Sequence, residues 1–393
     1  MTHHNHPDLL NTVLQLLTTQ GTSSLAEGLR LLLDEAMRLE RSAALKAEPY
    51  QRCDERLGRA NGFKPKSLAT RVGQIELRIP QVRDGINFYP NALERGVRSE
   101  QALMLAMAEM YVQGVSTRKV STIIEELCGH QVSSAQVSAC TAKLDVELQL
   151  WRERPLGNFP YLIFDARYEK VRHAGLLVDC AMLIAMGIGS DGKRTILGVS
   201  VALSEAEVHW RDFFSSLVKR GLHGSKFIVS DAHPGMAAAR QAVFPSVPWQ
   251  RCQFHLQQNA QAYVPRLDMR TKVASDIRSI FTCSDLPSAQ ARLKERILFY
   301  AKSAPKLASW MEENLPQGFT VFSLPEPHHR RMRTSNAIER VNQELKRRTR
   351  VASLFPNEAS LLRLASALLC ELSDSWLTGK IYLNMNLSAP PLA

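Results

Sequence analysis

The sequence predicts a mixed α+β protein with helical ends, a strand-rich middle and a helical insertion before its last basic helix. Three observations carry this. Apolar stripes at helical spacing fill 8–48 and 99–150. Apolar runs of strand length alternate with helical patterns from about 160 to 255. Helical patterns then resume and run to 377.

The chain has 393 residues, enough for two or three domains with a sizeable core. Its net charge of +11 suggests a polyanionic partner, with nucleic acid first. Seven cysteines, an odd number with no Cys-x-x-Cys pair, argue against a disulfide framework and for the cytoplasm. No run of about 18 apolar residues is present, so no membrane span is expected. The start lacks the charged-then-apolar pattern of a signal peptide, and His3, His4 and His6 read as a frayed terminus rather than a metal site.

Leu9, Leu10, Val13, Leu16 and Leu17 form one helical stripe, and Leu25, Leu29, Leu32, Leu33, Ala36 and Leu39 another. Both read as core rather than as a dimer zipper. Basic residues then precede Val72-Gly-Gln-Ile-Glu-Leu-Arg-Ile-Pro80, which alternates as a half-buried strand and should end at the proline. Asp84-Gly85 is a turn signal, and a return strand should begin at Asn87-Phe-Tyr-Pro90. This basic β element reads equally as a surface for DNA backbone or as a plain hairpin.

Three helices are expected over 100–112, 114–127 and 133–144, with Ser116 capping the second and Gly129 breaking the chain before the third. Helix, short glycine turn, helix is the helix-turn-helix arrangement. Arg118 and the short polar groups of the last helix, Ser134, Gln136, Ser138, Thr141 and Lys143, suit groove contact. An ordinary helical hairpin would look the same.

Beyond Pro155 the pattern becomes α/β. Tyr161-Leu-Ile-Phe-Asp165 reads as a short buried strand ending in a carboxylate. A long apolar strand within 175–188, a turn at Asp191-Gly192 and a strand over 194–201 follow. A helix over 205–220 turns Trp210, Phe213, Phe214, Leu217 and Val218 inward. Lys226-Phe-Ile-Val-Ser-Asp231 is another strand ending in Asp, 233–244 a helix, and Val247 to His255 a further strand. A three-strand meander followed by a helical crossover to a strand parallel to the first is the ribonuclease-H-like order. It puts Asp165 and Asp231 at neighbouring strand ends, where α/β sheets place their sites.

Helical pieces at 278–281, 289–301 and 307–315 then interrupt the unit. Next comes Arg333-Thr-Ser-Asn-Ala-Ile-Glu-Arg-Val-Asn-Gln-Glu-Leu-Lys-Arg-Arg-Thr-Arg350, a helix capped by Ser335 or Asn336. Ile338, Val341 and Leu345 share its apolar face, while Asn336, Glu339, Gln343 and Lys346 share a polar one. A solvated basic helix with an incidental glutamate would read alike. The expected organisation is an N-terminal helical region (1–60), a small basic β element (61–98), a helix-turn-helix region (99–150), a ribonuclease-H-like core (155–258 and 331–357) around a helical insertion (259–330), and a C-terminal helix and tail (358–393).

Asp165, Asp231 and Glu339 are far apart in sequence, so only the fold can unite them. Together they would make an oxygen-rich cage suited to Mg²⁺ or Mn²⁺. Two such ions roughly 4 Å apart can hold the attacking and leaving oxygens of an in-line phosphoryl displacement. The cations also quench the repulsion among three clustered acids.

Six phrases make the likeness specific. They are Arg71-Val-Gly-Gln-Ile-Glu-Leu-Arg-Ile-Pro-Gln-Val-Arg-Asp-Gly85, Tyr111-Val-Gln-Gly-Val-Ser-Thr-Arg118, Asp165-Ala-Arg-Tyr-Glu-Lys-Val-Arg172, Ser230-Asp-Ala-His-Pro-Gly235, Gln250-Arg-Cys-Gln-Phe-His255 and Arg333-Thr-Ser-Asn-Ala-Ile-Glu339. In this order, over about 50–360, they resemble bacterial insertion-sequence transposases of the Mutator type. The resemblance implies an Asp-Asp-Glu site on Asp165, Asp231 and Glu339, holding two Mg²⁺ or Mn²⁺ ions, and a helical insertion before the Glu. It implies action on terminal inverted repeats and target DNA in the bacterial cytoplasm, at the nucleoid, by a dimer or larger oligomer, with a circular intermediate. Arg330, Arg331, Arg333, Arg340, Lys346, Arg347 and Arg348 would hold phosphates. The family's Cys-x-x-His falls on Cys252 and His255. Two ligands are too few for structural zinc, so the pair reads as supporting the site with Asn336, although His328 and His329 could complete a zinc set. Trp310 is placed either to stack on an unpaired base or in the core beside Leu307, Met311 and Leu315. A metal-dependent nuclease or resolvase without strand transfer, or an inactive DNA-binding protein, are the rival readings.

Overall fold

The computed structural model describes residues 6–386 except 94, 96–98, 114, 130 and 353. His3, His4, Gly114 and the tail beyond 386 therefore lie outside the described residues. The chain divides into two compact units, Met1–Lys143 and Leu144–Ala393.

The first unit starts with helices α1 (His6–Gln20) and α2 (Leu25–Leu45). The core-facing side of α2, with Leu29, Leu33 and Met37, covers a two-stranded antiparallel sheet, β1 (Arg59–Thr70) and β2 (Gly73–Arg83). Leu25, Leu32 and Leu39 lie on the exposed side of α2, and Leu10 is exposed on α1, so each expected stripe is only partly core. Ile75, Leu77 and Ile79 alternate inward along β2, as expected.

The partner of β2 differs from the expectation. It is the preceding basic stretch, joined through a turn at Arg71 and Val72, and no strand follows at 87–90. Strand β1 is largely exposed and polar, so it lacks the alternation that announces a strand; pairing with β2 alone extends it. Pro80 does not end β2, because it falls where a register shift between Ala60 and Phe63 interrupts the ladder. Asp84 and Gly85 do turn, both at positive φ.

Helices α3 (Gln101–Val112), α4 (Thr117–Cys128) and α5 (Ser134–Ala142) complete the unit around Leu103, Met107, Val120, Ile124, Val132 and Val137. Ser116 caps α4 by accepting the Lys119 N–H at 3.3 Å, and Gly129 ends it at φ 66°. Ser133 and Gln136 form a reciprocal capping box at the start of α5.

The second unit opens with α6 (Asp145–Glu153). Its five-stranded sheet runs in the order β5-β4-β3-β6-β7. The strands are β3 (Tyr161–His173), β4 (Leu176–Ile188), β5 (Arg194–Ala202), β6 (Phe227–Ser230) and β7 (Trp249–Arg251). The meander β3-β4-β5 is antiparallel, and β6 returns parallel to β3 through α7 (Glu207–Lys219). Helices α7 and α8 (Pro234–Val243) cover one face, where Trp210, Phe213, Phe214 and Leu217 pack on Leu162, Phe164, Leu183 and Ile228. Val218 points the other way and is 44% exposed.

Asp165 does not end its strand. Strand β3 pairs with β4 as far as His173, but with β6 only from Tyr161 to Ile163. The strand beyond Asp165 is mostly polar and pairs along its length with β4 alone, with a single bridge from Val171 to Phe355 on the other edge, and this polarity hides it from a hydrophobic pattern. The expected strand to His255 is also shorter: β7 stops at Arg251 and α9 (Gln253–Ala260) begins.

Helices α10 (Arg270–Phe281), α11 (Leu286–Ser303) and α12 (Pro305–Asn314) build a separate helical core with α9. Gln250 stitches β7 to that core, donating to Gly318 O and accepting from Val321 N–H. Helices α13 (Glu326–Met332), α14 (Asn336–Ala352) and α15 (Glu358–Leu377) close the chain. Ile338, Val341 and Leu345 of α14 are buried, and α15 packs on β5 and α6. Arg363 of α15 grips Asp145 of α6 through two 2.7 Å hydrogen bonds.

Candidate active site

The site lies where the parallel ladder of the sheet gives out. The β3–β6 pairing ends at Ile163 and Val229, so Asp165 and Asp231 each follow two residues beyond it. Each aspartate is fixed locally by one hydrogen bond: Ala166 N–H to Asp165 Oδ1 at 3.0 Å, and Ala232 N–H to Asp231 Oδ1 at 2.7 Å. Ser230 O accepts the Cys252 N–H at 2.9 Å, which ties the Asp231 turn to the start of α9.

Two further bonds bring α14 to the same place. Gln253 N–H donates to Arg333 O at 3.0 Å, and Ser335 N–H points at Cys252 Sγ at 3.4 Å. Cys252 and His255 are therefore the cap and first turn of a helix, not a strand, and they stand beside Glu339. The donor atoms of Cys252, His255 and Glu339 all lie within 4.8 Å of one another. The buried Ser335 hydroxyl sits between them, 3.3 Å from Cys252 Sγ and 3.1 Å from Glu339 Oε1. Its single proton serves one of the two at a time. Among the described residues, Asp165, Asp231 and Glu339 do not form a comparably tight three-carboxylate group.

Asn342, one turn beyond Glu339, donates to Asp165 Oδ2 at 2.7 Å. Its own Oδ1 is buried without a hydrogen-bond partner, as is His255 Nδ1. Burial above all raises the Asp165 carboxyl to about 7, with the charges of Glu339 and Asp231 adding to the rise and His255 and the Ala166 N–H opposing it. The Cys252 sulfur raises the His255 imidazole to about 9 against the effect of burial. Burial alone would raise the Cys252 thiol, but His255 and Ser335 outweigh it and the net direction is down. A cation on His255 thus stands among the acids. Carboxylates, an orphaned amide oxygen and an Asp165 carboxyl that burial holds above its ordinary value are what a divalent ion would relieve, so the residues fit such an ion.

A family model for "Transposase, Mutator family" matches residues 2–379. The chain belongs to that family. It is 55% identical to the transposase for insertion sequence element IS406 of Burkholderia multivorans, over 94% of this chain and 96% of that one. It is 44% identical to the ISRM5 transposase of Rhizobium meliloti, over 92% and 91%. It is 37% identical to the IS256 transposase in transposon Tn4001 of Staphylococcus aureus, over 91% and 92%. A solved simian T-cell lymphotropic virus intasome aligns with 52% of this chain and 66% of its own at 10% identity, with a TM-score of 0.18, too low to speak for the fold.

The other candidate residues of this Mutator-family chain take varied places. Asn336 is exposed at the first turn of α14, and the side chains that reach the acids are Ser335 and Asn342. Asn342 is legible in the sequence as a polar residue one turn from Glu339, but the predicted polar face runs through Gln343, which is exposed. His328 and His329 complete no zinc set. His328 bonds Tyr161 Oη and Asn384 O, and His329 bonds Leu324 O. Trp310 is 8% exposed and stacks on Tyr263 in the core of the insertion, so it offers no face to a base. Thr141 is 1% exposed, and Gln136 is engaged in its capping box. Ser134 and Ser138 are half-buried, while Arg118 and Lys143 are exposed.

Along the basic helix, Arg347 and Arg348 both bind Glu344, holding its carboxyl down at about 2. Arg340 and Lys346 are exposed, as are Arg330 and Arg331 before the helix, and Arg333 is half-buried. All seven cysteines are free thiols. Among the described residues, no helix is long and apolar enough to cross a membrane.

Proposed function

We propose that this transposase-family chain binds the terminal inverted repeats of its own element, cuts their 3′ ends and joins them to target DNA. The reading treats the sheet and α14 as a ribonuclease-H-like core interrupted by the helical insertion, and α4 with α5 as a helix-turn-helix. The observation that carries it is the meeting of Asp165 and Asp231 at the end of the parallel ladder, with Glu339 near enough for its charge to act on Asp165.

Asp165, Asp231 and Glu339 would hold two Mg²⁺ or Mn²⁺ ions. Ions held there would supply the charge that activates the water or 3′-hydroxyl nucleophile and stabilises the leaving oxygen. The chain's own residues do the rest. Asn342 fixes the Asp165 carboxylate and leaves an oxygen facing the site. His255 moderates the clustered negative charge. Arg330, Arg331, Arg333, Arg340 and Lys346 supply cations for phosphates, with Arg347 and Arg348 engaged by Glu344 as the protein stands. Arg118, Ser134, Ser138 and Lys143 remain the candidates for reading the element's ends. Two ends imply at least two copies of the chain acting together, in the bacterial cytoplasm at the nucleoid.

The test uses purified full-length protein, Mg²⁺ and a duplex carrying the element's own terminal repeat. Nicked ends followed by joined products are expected, and both should vanish with Asp231→Asn. Cutting without any joined product would reduce the activity to that of a nuclease. Undiminished cutting by Asp231→Asn would remove that residue from the site.

A further inference from the structure

The donor set around Glu339 holds two atoms that Mg²⁺ chemistry does not use. Hard ions bind oxygen and leave thiolate sulfur aside. Yet Cys252 Sγ, a ring nitrogen of His255 and a Glu339 oxygen converge within 4.8 Å, on α9 and α14, whose starts are tied by the Gln253 N–H to Arg333 O and Ser335 N–H to Cys252 Sγ bonds. His255 Nδ1 is buried with no hydrogen-bond partner, on a ring acted on by the Cys252 sulfur and by the Asp231 and Asp165 charges. His328 and His329 are committed elsewhere, so the third member that sequence spacing could not supply is Glu339.

The geometry points to a second metal site here: one borderline-soft divalent ion of the zinc class, held by Cys252, His255 and Glu339 with a fourth position open. In tetrahedral zinc sites the donors lie roughly 3.2–3.7 Å apart, so closing this cluster needs side-chain shifts on the order of 1 Å. The Cys252 thiol proton and the extra proton of the His255 imidazolium both leave to solvent as the ion binds. Three protein ligands and an open position are the coordination of a reactive or exchangeable zinc, not of a closed structural one.

The consequence follows from Glu339 being shared. An ion between Cys252 and His255 draws its carboxylate away from Asp165, so occupancy opposes the Mg²⁺-dependent reaction. This consequence rests on the proposed Asp-Asp-Glu site; the binding itself does not.

The test titrates metal-stripped full-length protein with Co²⁺ as a spectroscopic stand-in, then with Zn²⁺ as competitor. A thiolate-to-cobalt charge-transfer band is expected, bleached by Zn²⁺ and absent in Cys252→Ser. His255→Gln and Glu339→Gln should each weaken binding by more than the roughly 10- to 100-fold that losing a mere supporting group costs. Cys53→Ser alters a thiol in the other unit and should keep the band. Circular dichroism checks that each variant folds, and His255→Gln serves should Cys252→Ser not fold. No thiolate band, or a band that survives in the folded Cys252 or His255 variant, overturns the site. Full binding by Glu339→Gln overturns the sharing. Zn²⁺ should also suppress Mg²⁺-dependent cutting by the unaltered protein. Undiminished cutting at saturating Zn²⁺ overturns the antagonism, whereas no cutting in Mg²⁺ alone speaks against the proposed function instead.

Discussion

Asn342 donates from Nδ2 to Asp165 Oδ2 across 2.7 Å, while its own carbonyl oxygen stays buried without a partner. The amide fixes the carboxylate's orientation and points a spare acceptor into the site. Asn342→Ala is expected to lower Mg²⁺ affinity and cutting by roughly 10- to 100-fold, as losses of orienting groups do. Metal titration followed by thermal unfolding and end-cleavage assays would measure this; unchanged metal affinity would make Asn342 a packing residue.

Ser335 should matter less. Its hydroxyl lies between Cys252 Sγ and Glu339 Oε1 but can donate to only one of them. Ser335→Ala should cost about 1 kcal/mol of stability, the net worth of one hydrogen bond. Chemical denaturation reads the value, and a loss several times larger would mean the hydroxyl supports both groups at once.

The glycine after Asp231 can be tested directly. A Cβ on Gly235 would lie 2.2 Å from Glu205 O and 2.9 Å from Glu207 N, both backbone atoms that cannot swing aside. Gly235→Ala should therefore destabilise the protein by about 1–3 kcal/mol. Gly157→Ala, where a Cβ meets nothing within 4 Å, should stay within about 0.5 kcal/mol. Equal denaturation midpoints for the two variants would contradict the close approach.

Metal-free protein should lose stability as pH rises. The native Asp165 carboxyl is raised from 3.8 to about 7, so between those values the folded state holds a proton that the unfolded chain has released. Stability from this group is full below pH 4 and falls as pH climbs toward 7. His255, raised from 6.5 to about 9, continues the decline above that range. Melting temperatures across pH 4–9 should show the trend. Asp165→Asn should remove its lower part, and saturating Mg²⁺ should flatten it; a metal-free curve rising from pH 4 to 7 would reverse the sign of the Asp165 contribution.

Some of this was readable from residue order because it depends on neighbours in the chain. The inward face of Ile338, Val341 and Leu345, the cap at Ser116, and the turn at Asp191-Gly192 all follow from spacing and local backbone chemistry. The meander and crossover were legible because β4, β6 and the helix between carry strong apolar patterns. The basic strand β1 was not, since pairing alone holds it extended.

By itself the sequence determined the order of strands and helices from β3 to β7 and the three acids that its family resemblance singles out. Tertiary structure decided what those acids touch. Asp165 became a mid-strand residue because β4 runs on where β6 stops. Cys252 and His255 came to Glu339 because Gln253 N–H bonds Arg333 O and Ser335 N–H meets Cys252 Sγ, which ties the start of α9 to the start of α14. Both outcomes rest on hydrogen bonds between segments distant in the chain, and spacing along the chain carries no signal for such bonds.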